Sequence, residues 1–260
     1  MAIITLTTDF GTRDGYVGAM KGVVLSIAPH AHLHDLAHQL PAHDVTHAAF
    51  VLAEAARYFP ANTIHVAVVD PGVGSARLPI CVCCKEQWYV GPDNGLFTLC
   101  LGDDPWIGYQ LTNPAYFRHA VSPTFHGRDL FAPIAAHVAN GVDPQQFGPP
   151  LATLTQLPLP TTQRTGDELC GEVIYLDHFG NAVTNIRTTD LSVTGNMLRI
   201  QVGEVVIDGL ARTYEDRPPL APLAVIGSHH LLEIAVREGS AARQLQLRRG
   251  TPVQVRCTTA

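Results

Sequence analysis

The sequence predicts an α/β amino-terminal domain with a mostly parallel central sheet, followed by an all-β, barrel-like carboxyl-terminal domain. Three observations predict it. Apolar strand-like runs alternate with helix-period segments over residues 1–141, the pattern of a sheet covered on both faces. Residues 148–162, GPPLATLTQLPLPTT, then interrupt that texture with four prolines and no charge. Beyond them come short apolar runs separated by Gly, Pro, Asn or Asp, with little room for helices. The expected boundaries are 1–150 for the first domain, 151–166 for a linker and 167–260 for the second.

In chain order, AIITLTT (2–8) reads as a first strand, ended by Asp9-Phe10-Gly11. A helix over 14–28 follows, with Val17, Met20, Val24 and Ile27 near helical spacing, and Pro29 stops it. A short strand at 31–36 precedes an amphipathic helix at 44–58 capped by Asp44. The next strand ends at Asp70. ICVCC and QWYVG suggest a hairpin-like pair, and RDLFAPIAAHVAN (128–140) a last helix closed by Gly141. In the second domain the strands are ELCGEVIYLD, AVTNI, MLRIQVG, EVVIDGL, LAVIGS, LLEIAV and PVQVRC.

The composition narrows the function classes. Hydrophobic residues make up 46% of 260 and charged residues 15%, so a core is available and there is no disorder signature. A net charge of -6, with Lys21 and Lys85 the only lysines, argues against nucleic-acid binding. No apolar run reaches the ~18 residues of a membrane span, and the amino terminus lacks a leader pattern. Cysteines at 81, 83, 84, 100, 170 and 257 lack paired metal spacing and read as reduced thiols of a cytoplasmic protein.

The most informative stretch is IHVAVVDPGVGSAR, Ile64 to Arg77. A buried strand that stops at Asp70 and turns through Pro71-Gly72 presents a carboxylate at the carboxyl end of a sheet, where α/β ligands sit. Arg77, seven residues on, can fold back to pair with it. TTDFGTRD (7–14), TFHGRDLFAP (124–133) and LDHFGNAVTN (176–185) share the pattern of an apolar strand or turn followed by Asp, Gly or Asn. With the Asp70 turn they supply Asp9, Asp14, Asp70, Arg77, His126, Asp177 and Asn181 beside rigid elements, where function concentrates.

These stretches, with VGPDNGLFT (90–98) and SHHLLEIAVREGSAA (228–242), closely resemble the S-adenosyl-L-methionine (SAM) hydroxide adenosyltransferases, relatives of the fluorinating and chlorinating nucleoside synthases. The resemblance implies hydrolysis of SAM to adenosine and methionine, with no cofactor and no metal. It also implies a homotrimer with substrate between subunits. Asp70, Arg77 and His126 fall on the family's water-activating set, and Asp9 on the aspartate that grips the ribose diol. Asp14 and Asp177 lie where the methionine ammonium end is held, Asn181 on the adenine edge, and Ser228 near the methionine carboxylate. Tyr214 matches an aromatic that stacks on adenine, and His229 stands where halogenating relatives carry an arginine. Asp70 replaces a tyrosine of the fluorinating enzyme, and Gly127 replaces its serine. Both departures point to water as nucleophile.

Two other readings are open at this level. HAHLHDLAH with His43 and His47, spanning His30 to His47, could serve a metal-dependent hydrolase, although its order differs from HxHxDH. The same fold could also bind SAM or adenosine without turnover. Gly72-Val73-Gly74 is only a fragment of a dinucleotide loop, RQLQLRRG reads as a solvated strand, and Trp88 and Trp106 as packing residues.

Overall fold

The computed structural model describes residues 2–191 and 197–258. The chain forms two compact units that divide between Leu157 and Pro158. Of the residues expected as a linker, Leu151, Leu154 and Leu157 pack against the core of the first unit, while Gln163–Thr165 pair within the sheet of the second.

The first unit runs β1 (Ile3–Thr8), α1 (Tyr16–Ile27), β2 (His32–Ala37), α2 (Val45–Ala56), β3 (Ile64–Val68), β4 (Pro79–Cys84), β5 (Gln87–Pro92), α3 (Thr98–Leu101), β6 (Trp106–Gln110) and α4 (Ala132–Ala139). Its strands make one sheet in the order β2-β1-β3-β5-β4-β6. β2, β1, β3 and β5 pair in parallel, whereas β4 pairs antiparallel with both β5 and β6. The sheet is therefore mixed. The hairpin that reverses direction turns through Lys85 and Glu86, both at positive φ, as the two-residue hairpin geometry demands.

Both faces of this sheet are covered, which is why β3 is buried along its whole length. Ile4, Leu6, Val66 and Val68 face one core with Met20, Val24 and Ile134. Ala67, Val69, Ile80 and Val82 face the other with Ala48, Leu52 and Phe97. Asp44 caps α2 as expected, accepting from the His47 amide at 3.0 Å. His65 is fully buried on β3, where it shares a 2.7 Å hydrogen bond with Thr5 and stacks on Tyr89. Burial pushes its pKa down to about 4.

The second unit contains β7 (Gln163–Thr165), β8 (Glu168–Leu176), β9 (Ala182–Arg187), β10 (Met197–Val202), β11 (Val205–Asp208), β12 (Pro222–Ile226), β13 (Leu231–Val236), the short α5 (Ala241–Gln244) and β14 (Pro252–Thr258). They form one sheet, β11-β10-β14-β8-β9-β13-β12, with β7 on β8, and every strand pairing in it is antiparallel. Irregular register in β8 and β13 bends the sheet. The two end strands approach each other where the Ala211 amide, just past β11, donates to Ala224 of β12 at 2.8 Å. The result is a nearly closed barrel around Leu169, Val173, Ile186, Ile200, Leu232, Ile234 and Val255.

Five cysteines are free, and the buried thiols of Cys81, Cys84 and Cys100 are pushed up in pKa by desolvation. The Cys257 side chain lies outside the described residues. Among the described residues, no helix is long and apolar enough to cross a membrane.

Candidate active site

The chain order β1, β2, β3 places β1 between the other two, so the direction of winding reverses at the β1–β3 pair. Such a switch point opens a crevice beyond the carboxyl ends of the strands. Thr8 aligns with Val68 across that pair, so Asp9 and Asp70 emerge side by side at this edge. Asn94, beyond β5, reaches the same edge and donates from Nδ2 to the Val69 carbonyl at 2.8 Å. That bond fixes the strand end immediately before Asp70.

Arg77 folds back onto Asp70 as its position suggested. Its Nε lies 3.0 and 3.1 Å from the two carboxylate oxygens, and Nη2 donates to Oδ2 as well. Both side chains are nearly buried, at 9% and 4% exposure, so this pair is shielded from water, unlike a surface ion pair. Nη2 also meets His126 Nδ1 at 2.7 Å. A guanidinium only donates, so Nδ1 must be the accepting nitrogen, and a neutral ring then carries its proton on Nε2. Burial, then the neighbouring Arg77 charge, holds the His126 pKa below the ordinary histidine value and keeps the ring neutral near pH 7. Asp70, Arg77 and His126 thus form one hydrogen-bonded group.

Two features bring the His126 segment to the Asp70 turn. Gly74 adopts φ +76, and a Cβ there would stand 2.7 Å from the Pro123 carbonyl oxygen. The second glycine of Gly72-Val73-Gly74 therefore permits close backbone approach, a role unrelated to dinucleotides. Asp129, 1% exposed on its side chain, accepts from Arg128 Nε at 2.7 Å and from the Ser122 amide at 2.9 Å, pinning the loop before His126. His126 itself precedes a π-helical turn, Gly127–Phe131, that leads into α4, a backbone form that recurs at functional sites.

Asp9 accepts from the His43 amide at 2.8 Å. Phe10, Tyr16 and Phe125 meet edge to face nearby, with centroids 5.3 to 6.0 Å apart. Tyr16 is half exposed and offers an aromatic wall that the sequence reading did not single out. Asp14 is exposed on the turn before α1.

The other candidates lie in the second unit. Asp177 and Asn181 close the turn between β8 and β9. Asp177 accepts from the Asn181 amide at 2.8 Å and from Asn181 Nδ2 at 2.9 Å, which aims the Asn181 carbonyl oxygen elsewhere as an acceptor. Gly180, at φ +84, passes so close to Ser240 that a Cβ would overlap its hydroxyl, and its carbonyl accepts from Ala242. Ser228 is exposed on the hairpin turn between β12 and β13, with His229 beside it. The Tyr214 hydroxyl donates to Glu233 Oε1 at 2.6 Å. Glu233 was missed in the sequence reading. It is a buried carboxyl raised in pKa by desolvation, and its Oε2 and His229 Nε2 both crowd the space above Gly227. The available signal was one acid inside the apolar run LLEIAV.

The histidine-rich strand does not gather a ligand set. His32 and His34 are exposed on the edge strand β2, His38 turns inward to Thr8, and among the described residues no three His, Cys, Asp or Glu side chains converge.

The family model for the SAM hydroxide adenosyltransferase N-terminal domain matches residues 4–148, and that for the C-terminal domain matches residues 171–254. The chain belongs to the SAM hydroxide adenosyltransferase family. It is 43% identical to an (R)-S-adenosyl-L-methionine hydrolase from Thermus thermophilus over 98% of this chain and all of the relative. It is 40% identical to one from Salinispora arenicola over 97% of each. A fluorinase from Actinoplanes is more distant, at 28% identity over 97% of each. A crystal structure of an uncharacterized conserved protein from Thermotoga maritima superposes with a TM-score of 0.90 at 33% identity, covering 97% of this chain and 99% of that one. In this SAM hydroxide adenosyltransferase every candidate residue lies inside a matched range, Asp9 to His126 in the first and Asp177 to His229 in the second.

Proposed function

We propose that this enzyme hydrolyses SAM to adenosine and L-methionine, with water attacking the ribose 5′ carbon in line with the departing sulfur. The observation that carries the reading is Arg77 bonded at once to Asp70 and His126 in a nearly buried turn. The leaving group is a neutral thioether departing from a sulfonium, so it needs no proton. Water is the weak partner, and it requires a base and fixed geometry. Asp70 is the base in this reading. His126, with Nδ1 occupied by Arg77, offers Nε2–H to hold the water oxygen. Arg77 keeps both partners in register and stays charged throughout. Attack by a hydroxide-like oxygen on a cation annihilates charge, so a shielded site favours it.

The remaining roles follow the family resemblance. Asp9 accepts from the two ribose hydroxyls, Asn181 offers its carbonyl to the adenine edge, and Tyr214 stacks on the base. Asp14 and Asp177 hold the ammonium end of methionine, with Ser228 and His229 toward its carboxylate. The reaction takes no cofactor and no metal. The enzyme works in the cytoplasm as a homotrimer with substrate held between subunits. Incubation with SAM in ¹⁸O-labelled water tests the reaction and nucleophile together. Adenosine labelled at the 5′ oxygen is expected. Unlabelled adenosine, or binding without turnover, overturns the reading.

A further inference from the structure

The proposed chemistry leaves the histidine-rich strand without a task, yet His38, just past its end, reaches the edge where Asp9 sits. His38 follows β2 and is buried, and its Nδ1 shares a 2.8 Å hydrogen bond with Oγ1 of the fully buried Thr8. The same hydroxyl lies 3.3 Å from the Phe10 amide, which donates to it. The His38 carbonyl accepts from the Gly11 amide at 2.7 Å. One residue therefore ties the chain down on both sides of Asp9. On the far side of the ring, Nε2 lies 3.0 Å from Asp35 Oδ1, close but not aligned as a full hydrogen bond. Asp35 Oδ2 accepts from Lys21 Nζ, on α1, at 2.6 Å.

The protons along this chain fit one arrangement. With the carboxylate facing Nε2, the imidazole proton belongs there, and Nδ1 accepts from the Thr8 hydroxyl. The Thr8 oxygen in turn accepts from Phe10. The Thr8 hydroxyl and the Phe10 amide each then face an acceptor, and Nε2 faces the Asp35 carboxylate without a fully aligned bond. The Asp9 carboxylate is held from outside by the His43 amide, so its direction is set by the anchored turn beneath it and one backbone contact above it.

We propose that His38, aligned by Asp35, is a positioning residue that sets the Asp9 turn for nucleoside binding. The proposal rests on the reading of Asp9 as the ribose-diol contact. A diol needs two acceptor directions from one carboxylate, so a small rotation of the turn weakens binding before it alters the water-activating group, which is anchored separately through Arg77.

The test measures KM and kcat for SAM and for 2′-deoxy-SAM in wild type, Asp9→Ala, Thr8→Val, His38→Leu and His38→Asn. Thr8→Val keeps the side-chain shape and removes only the hydroxyl. His38→Asn keeps an acceptor near the place of Nδ1. Thr8→Val and His38→Leu should raise KM for SAM about tenfold, with kcat within about threefold. They should also shrink the preference for SAM over its deoxy analogue, and His38→Asn should restore most of that preference. Unchanged KM and full discrimination in both variants, even with a lowered melting temperature, would overturn the positioning role and leave the Asp9 reading intact, provided Asp9→Ala abolishes discrimination. Wild type showing no discrimination overturns both. Should the buried variants precipitate, Lys21→Met at the partly exposed end of the chain decides: KM about threefold higher supports the role, and an unchanged KM refutes it.

Discussion

Arg77 has the geometry that neither of its partners could supply. A planar guanidinium can bind a carboxylate and an imidazole at once, and its stacking over the Phe131 ring, 5.4 Å away, restrains the plane. With Asp70 as the proposed base, Asp70→Ala should lower turnover about 10²-fold or more and change substrate binding much less. Steady-state kinetics decide it, and near-normal kcat in that variant removes Asp70 from the mechanism. His126 adds a pH test. Its pKa lies below the ordinary histidine value, so the ring is neutral above that lowered value and gains a proton only as pH falls through it. A protonated ring cannot accept from Arg77. As pH is lowered, turnover should therefore fall with a midpoint below 6.5, the ordinary histidine value. A midpoint at or above 6.5 would contradict the hydrogen bond between Arg77 and Nδ1.

At the scale of elements, the site depends on two turns meeting, and a glycine lets them meet. Gly74→Ala combines a left-handed backbone with a contact of 2.7 Å to the Pro123 carbonyl. It should cost about 1–3 kcal/mol and displace the segment carrying His126 from Arg77. Urea unfolding measures the first effect, and a loss of turnover beyond any loss of folded protein measures the second. Normal stability together with normal activity would show that the turns do not need this approach. The Asp70 turn was legible in the sequence because an apolar β-branched run breaks at Asp-Pro-Gly. The closeness of Pro123 was not, because nothing local to residues 120–124 reports a partner 49 residues upstream. The same holds elsewhere. β1, α1, α2 and β3 announced themselves through periodicity and capping. β6 and β7 did not, since WIGYQ is short and interrupted by glycine, and QRT is exposed throughout. The antiparallel excursion of β4 was visible only as a hairpin, while its turn carries Lys85 and Glu86 in place of the expected Asn-Gly. Asp129 looks like an ordinary acid in sequence and only the fold reveals its burial, while the burial of Glu233 was signalled only by its place inside the apolar run LLEIAV.

At the scale of the molecule, the candidate residues fall into two sets. Asp9, Asp14, Asp70, Arg77 and His126 belong to the first unit, and Asp177, Asn181, Tyr214, Ser228 and His229 to the second. The proposed homotrimer makes a demand on this division that does not depend on any single contact. If each substrate lies between subunits and draws one set from each, a subunit with a damaged first unit and a subunit with a damaged second unit can complement each other. Asp70→Ala and a double Asp177→Ala, Asn181→Ala variant should each be inactive alone. Co-expressed in equal amounts, they assemble at random, and a given site receives an intact first set and an intact second set in about one case in four. Roughly a quarter of wild-type activity should return, in a species whose mass by light scattering is that of three chains. Subunits that each hold a whole site predict no recovery, because every chain in the mixture carries a lesion. Absence of recovery in a confirmed mixed trimer would therefore place both sets within one subunit, and a fully active monomer would remove the assembly from the mechanism altogether.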